Sequence, residues 1–499
     1  MLFSSAEFLF WFLPLSLLSF HFARAQWGGQ AAMGTAVAAS LFFYGWWNPP
    51  YLVLILISVG INFLWTKSLV RRPGLAKLLV ALAFNLGLLG YFKYRNFFLE
   101  NVDFLVNGNA DAIGSLGPIF IPLGISFYTF QQIALLIDAY DEAVEAPPSL
   151  LEYSQFILFF PQLIAGPIVL YRELAQQFSN LEENHGAGLS LFGPGVAVFA
   201  LGLFKKICLA DGIAPFANTA FGAHETITLL EAWAGTSAYA LQLYFDFSGY
   251  SDMAVGLGLM FGFRLPLNFD TPYRARNMID FWKRWHMTMT RFFMMYLYNP
   301  LALSLSRYGL ARFRHGGVIF IITVAVPTLA TFLLSGLWHG AGWTFVAFGA
   351  VNGIGLIANH AWKGLKGPKM PFVLAWSLTI LTVLVSFVYF RADSLTAAHN
   401  MLSAMFSPSA FILPNWLEGV AHQLGLEWRT LSMLSTGTYA VKCFFWVVAL
   451  AILSVRMPNW AKTYDDLKPT WSLAFVVAFM GFWAIGWLDQ PQTFLYFQF

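Results

Sequence analysis

Charge is what this chain has least of. Its 499 residues hold 28 Lys and Arg against 25 Asp and Glu, so 11% are charged while 58% are hydrophobic. Soluble domains carry roughly 25% charged residues. So few charges cannot cover a water-facing surface of this size, which excludes a water-soluble globular enzyme. Cysteine is nearly absent as well. Cys208 and Cys443 stand alone, with neither a disulfide framework nor metal or redox spacing. The formal net charge of +3 leaves no basic excess and no single basic patch, which excludes nucleic acid as a partner. What the chain has instead is aromatic and aliphatic bulk, with 52 Phe and 19 Trp. That suits lipid contact and interfacial belts, and the chain reads as an integral membrane protein.

The charge-free runs are long. No Asp, Glu, Lys or Arg occurs over Ala25–Thr66, Ala112–Ile137 or His315–Trp362. A bilayer crossing takes roughly 20 residues, so the last run has room for two. Lipid offers no hydrogen bonds, and the alternating pattern of a barrel is missing, so these segments are expected to be helices. Apolar segments fall near 7–23, 31–47, 51–68, 75–92, 117–137, 153–170, 190–210, 231–262, 316–336, 341–362, 371–390, 440–455 and 470–488. About eleven are expected to cross fully, at roughly 20 residues each. The 153–170 segment holds Pro161, Gly166 and Pro167, so it is expected to be broken or re-entrant. The first apolar run lacks the basic start of a signal peptide and is read as a retained helix. The expected fold is an all-α polytopic membrane protein forming a single domain over 1–499. Within it, 391–435 is expected to be a polar loop.

Loop charges give an orientation. Arg24, Lys67, Arg71, Arg72 and Lys77 follow the first and third segments, whereas Glu100, Asp103 and Asp111 follow the fourth. The positive-inside bias therefore predicts a periplasmic N-terminus. From Arg264 to Arg314 basic residues interleave with Phe281, Trp282, Trp285, Phe292 and Phe293. This stretch reads as cytoplasmic amphipathic helices sunk at headgroup level.

Few residues could carry chemistry. His339 sits in Ser335-Gly336-Leu337-Trp338-His339-Gly340, inside the longest charge-free run. An ionisable group at that depth usually faces a cavity or the interior. It reads either as a general base or as a core histidine bonded to a neighbouring helix. His286 closes Phe281-Trp282-Lys283-Arg284-Trp285-His286, where Asp280 and Arg284 form an i,i+4 pair. It is either functional or an interfacial anchor. In Tyr244-Phe245-Asp246-Phe247-Ser248-Gly249-Tyr250-Ser251-Asp252, Asp246 and Tyr250 could bond along one face. Asp252 could sit at a helix start, and either acid is as much a structural residue as a catalytic one. Gly256, Gly258 and Gly262 mimic a dinucleotide fingerprint but lack a preceding strand, so tight helix packing is expected. Lys205 and Lys206 could lower the pKa of Cys208, although a cysteine in apolar company is more often packing. No metal spacing is present among the histidines.

Four stretches together resemble the membrane-bound O-acyltransferase family: Phe160-Pro161-Gln162-Leu163-Ile164-Ala165-Gly166-Pro167, Tyr244 to Asp252, Phe281 to His286, and Ser335 to Gly340. Met1-Leu2-Phe3-Ser4-Ser5, Gly124-Ile125-Ser126-Phe127-Tyr128 and Phe494-Leu495-Tyr496-Phe497-Gln498-Phe499 resemble its bacterial alginate O-acetyltransferase branch. One departure is that Asn299 to Arg307 replaces the branch's glycine-containing loop. The resemblance implies a ring of helices with a central tunnel and acyl transfer with His339 and His286 as the catalytic histidines. It also implies substrate-tunnel or donor-binding roles for Trp282, Trp285, Arg284, Trp338, Asp246 and Tyr250, with Trp343 also lining the tunnel. Acetyl-CoA or another thioester would be the donor, with no bound cofactor. Membrane lipid, periplasmic acetyltransferases and polysaccharide machinery would be the partners, at the bacterial inner membrane. An exporter of the polymer, or a D-alanyl, lipid or protein O-acyltransferase of the same family, would share this composition.

Overall fold

The computed structural model describes residues 1–107, 120–183, 187–407, 418–423, 437–488 and 495, and among these every regular element is a helix. Among the described residues seven helices are long and apolar enough to cross a membrane: Phe8–Trp27, Pro49–Arg71, Leu75–Val106, Gly316–His339, Trp343–Gly364, Phe372–Arg391 and Lys442–Asp466. The composition suggested about eleven crossings at roughly 20 residues each. Part of the difference lies in segments whose apolar residues face protein, and part in the shortness of Trp471–Ile485, which is mostly exposed. Ile125–Tyr140 is buried along nearly its whole length. The 153–170 segment is broken as expected, into Leu150–Leu158 and Phe160–Leu163, with every residue from Gln155 to Leu170 buried. Such broken backbone is tolerated at membrane depth only where protein surrounds it.

The chain divides into two compact units. The first comprises Met1–Phe204, Tyr250–Asn268 and Trp460–Gln490. Its core is aromatic: Phe3, Phe8, Phe43 and Phe160 pack with ring centroids 4.9 to 6.3 Å apart, and Tyr250 stacks on Phe3 at 4.8 Å. One polar cluster inside it is bonded together. Asn62 donates to Gln132 at 2.9 Å, and Asn85 donates to Asn62 at 2.6 Å. Gly124 has φ +70°, which favours glycine, and a Cβ there would also meet the Leu163 carbonyl at 2.6 Å, so the Gly124 turn packs closely on the Pro161 break. Of the 256–262 glycines, Gly256 packs against another helix as expected, whereas Gly262 is a left-handed turn residue at φ 84° after the helix end. A Cβ on Gly256 would sit 2.5 Å from the Phe199 nitrogen.

The second unit comprises Lys205–Gly249, Phe269–Asn459 and Pro491–Phe499. Its frame is the tight hairpin of Val326–His339 and Trp343–Gly364, followed by Phe372–Arg391. Glycine makes the hairpin possible. A Cβ on Gly336 would overlap the Phe345 carbonyl, and one on Gly349 would overlap the Phe332 carbonyl. Two expectations change here. The 391–435 region holds the helix Leu395–Phe406 rather than a plain loop; 408–417 and 424–436 lie outside the described residues. Asn299–Arg312 is also a helix, with Pro300 in its first turn, because Leu-Ala-Leu-Ser-Leu-Ser supplies no glycine to break it.

Candidate active site

The segment around His286 departs from the continuous amphipathic helix its pattern suggested. Met278–Trp282 is one short helix, capped by the Asn277 side chain accepting from the Asp280 amide at 2.8 Å. Met287–Phe293 is another, and His286 stands between them at φ 44°, ψ 53°. A non-glycine residue in this left-handed region costs on the order of 1–3 kcal/mol and persists only where its surroundings hold it. The surroundings do so. Arg284 donates to the Asp280 carboxylate at 2.8 Å and to the Asp270 carbonyl at 3.2 Å, while the Asp270 amide donates back to the Arg284 carbonyl at 2.9 Å. Arg284 is thus committed to the turn that sets His286.

The kink turns the aromatics inward. Phe281, Trp282, Trp285, His286, Met289, Phe292 and Phe293 are all buried, while Arg274, Arg276 and Lys283 are exposed. Over 281–293, the aromatic face of the 264–314 stretch packs against protein. Trp285 packs on Phe269 at 5.1 Å and Phe387 at 5.3 Å, and Trp282 packs on Phe332 at 5.0 Å.

His339 is the last residue of its helix, and the chain turns extended at Gly340. Its ring lies 4.9 Å from Trp338, 5.1 Å from Phe390 and 5.7 Å from Phe348, and it is 5% exposed. The His286 ring, fully buried, has its centroid 6.3 Å from that of His339, 5.9 Å from that of Trp338 and 4.7 Å from that of Phe247, with which it packs edge to face. The structure thus brings both histidines, Trp338, Trp282 and Trp285 into one aromatic-walled region. Burial pushes the His286 imidazole down to about 3, so it is neutral at ordinary pH. Trp343 is 55% exposed, unlike the buried Trp282, Trp285 and Trp338.

Asp246 and Tyr250 separate. Asp246 lies mid-way along the helix Leu229–Met260, where its carboxylate meets Lys206 Nζ at 2.7 Å and accepts the Leu495 amide at 3.1 Å. Tyr250 stacks on Phe3 instead. Asp252 also lies within this helix and starts none. Burial pushes the Cys208 thiol up to about 12, the reverse of activation by the neighbouring lysines.

These features fit a known pattern. The model of the membrane-bound O-acyltransferase family matches residues 142–398, which span the Pro161 break, the Asp246 helix and both histidines. A peptidoglycan O-acetyltransferase of Helicobacter pylori is 34% identical over 100% of this chain and 98% of its own length. The chain belongs to the membrane-bound O-acyltransferase family. A probable alginate O-acetylase of Azotobacter vinelandii is 35% identical over 89% of this chain and 86% of its own length. A teichoic acid D-alanyltransferase of Bacillus subtilis is 27% identical over 54% of this chain and 68% of its own length. As a family member the chain is an integral membrane acyltransferase.

Sequence reasoning missed Phe247, Phe348 and Phe390 as walls of the site, and Lys206 as the partner of Asp246. The last had a signal: a lysine inside an apolar segment needs a buried counter-charge.

Proposed function

We propose that this chain transfers acetyl groups at the bacterial inner membrane for O-acetylation of an exported polysaccharide, with acetyl-CoA or another acyl thioester as donor. The observation that carries this reading is the pair of buried imidazoles with ring centroids 6.3 Å apart inside aromatic walls. In it, His339 takes the proton from the attacking hydroxyl. The hydroxyl oxygen bonds to the acetyl carbonyl carbon, the carbon–sulfur bond breaks, and the thiolate leaves with a proton returned from the imidazolium. A positioned base of this kind contributes about 10²–10⁴-fold. His286, neutral throughout, serves as the second functional histidine and orients reactants by hydrogen bonding. The buried Trp282, Trp285 and Trp338 exclude water, which strengthens such interactions.

In this reading the loop charges support a periplasmic N-terminus, with periplasmic acetyltransferases and polysaccharide machinery as partners. Between acceptors, the alignment over the full chain with a peptidoglycan O-acetyltransferase favours peptidoglycan as an alternative to alginate or another exopolysaccharide. Deleting the chain tests the reading. The expected result is a normal amount of exported polymer lacking O-acetyl groups by proton NMR, and the polymer that loses acetate names the acceptor. Loss of the exported polymer itself would indicate an exporter instead.

A further inference from the structure

The Lys206 cluster has no part in the chemistry proposed above, yet charges buried this deeply are costly unless paired. Lys206 is 2% exposed and stands in the π-helical stretch Lys205–Ala210 that leads into the helix Asp211–Gly222. Its Nζ meets the Asp211 carboxylate at 2.6 Å and the Asp246 carboxylate at 2.7 Å. Asp246, itself 2% exposed, turns its other oxygen to the amide of Leu495 at 3.1 Å. One side chain thus ties three separate stretches of sequence together at a single height along the Leu229–Met260 helix.

The residue after Asp246 is Phe247, whose ring meets His286 edge-on at 4.7 Å and Phe269 at 5.0 Å. Nothing else on this helix touches His286 through a ring at so short a distance among the described contacts. A helix in a greasy, mostly aromatic surround can slide or rotate with small changes in burial, because dispersion contacts are non-directional. An ion pair is directional, and a π-helical insertion of this sort is a common mark of function. The geometry points to Lys206 and Asp246 as positioning residues: their ion pair, completed by the Leu495 amide, fixes the register of the Leu229–Met260 helix and so holds Phe247 against His286. This rests on the assignment of His286 and His339 to the reaction.

The test separates register from folding. In Lys206→Met/Asp246→Leu with Asp211→Asn, the charges are replaced by apolar or neutral groups of similar size, which often preserves stability. We expect the triple variant to reach wild-type abundance in the membrane while kcat for polymer acetylation by membrane vesicles given acetyl-CoA falls about tenfold, with KM unchanged. Asp246→Glu/Lys206→Arg, which keeps both charges, should recover part of that loss. Leu495→Pro removes the amide donor, along with restricting the local backbone, and should lower kcat, whereas Leu495→Ala keeps the donor and should not. A triple variant that is abundant with full kcat would overturn the proposal, as would equal behaviour of Leu495→Pro and Leu495→Ala. If the triple variant is not abundant, the two Leu495 variants decide alone. His339→Ala run alongside keeps the readings distinct. An active His339→Ala would sink the assignment of the site, whereas an inactive one beside a fully active triple variant would sink only the positioning role.

Discussion

A single methyl group at Gly336 should uncouple stability from activity. The Cβ of Gly336→Ala would overlap the Phe345 carbonyl oxygen and lie 3.1 Å from the Phe345 carbonyl carbon and 3.2 Å from the Gly349 Cα. All three neighbours are backbone, so no side chain can rotate to make room. Alanine in place of a helical glycine gains about 1 kcal/mol of propensity. Overpacking costs about 1–3 kcal/mol. The net loss is small enough for the protein to remain folded, yet the two helices of the hairpin must part. His339 lies one turn further along the same helix, and displacing a reacting group by roughly 1 Å costs about 10²-fold in rate. Gly342→Ser is the matched control. Its Cβ would have only ordinary contacts, 3.6 Å to Phe345 and 3.9 Å to Thr344, and serine suits a helix N-cap. The assay is polymer-bound acetate by proton NMR, normalised to chain abundance by immunoblot. Gly336→Ala is expected to lose most of its acetylation and Gly342→Ser to keep it. Wild-type acetylation in Gly336→Ala, or equal damage from both, would refute the reasoning.

His286 sets a pH dependence of stability. Its folded imidazole titrates near 3 rather than at the ordinary 6.5, so between these values the unfolded chain binds the extra proton. Its contribution is full above pH 6.5 and falls as pH drops toward 3, by about 2 kcal/mol at pH 5. Thermal unfolding of the detergent-solubilised protein at pH 7.5 and pH 5 should show a drop that is smaller in His286→Asn. Asparagine also tolerates the left-handed backbone of this position, so His286→Asn should stay folded while losing at least about tenfold in activity, as expected for a group at the reacting centre. Asn62→Leu strands buried partners at Gln132 and Asn85, and a lowered melting temperature corresponding to about 1–3 kcal/mol is expected, read by the same unfolding assay. Trp343→Ala, at an exposed site, should leave polymer acetylation unchanged.

His339 was legible because it lies between glycines deep in charge-free sequence, His286 because it closes the Phe281–His286 motif, and the 153–170 break because proline and glycine interrupt helices. The helical class followed from the cost of unbonded backbone in lipid. Three features were hidden for physical reasons. The kink at His286 follows from a cross-chain clasp between Arg284 and Asp270, which an i,i+4 reading of Asp280 and Arg284 cannot contain. The fate of Asp246 depended on a lysine 40 positions away and an amide at Leu495, both non-local. Hydropathy cannot distinguish an apolar residue facing lipid from one facing protein. Buried apolar helices such as Ile125–Tyr140 and the buried aromatics at 281–293 therefore look the same in sequence as lipid-facing ones.

The central assignment is His339 as the base. Replacing it with alanine removes an imidazole whose ring is walled by Trp338, Phe348 and Phe390, leaving a pocket in an otherwise packed site. Polymer-bound acetate from cells carrying His339→Ala, at membrane abundance equal to wild type, is the most direct measurement. A fall of about 10²-fold or more is expected if the imidazole takes the hydroxyl proton. Acetate at the wild-type level from an equally abundant His339→Ala protein would contradict it.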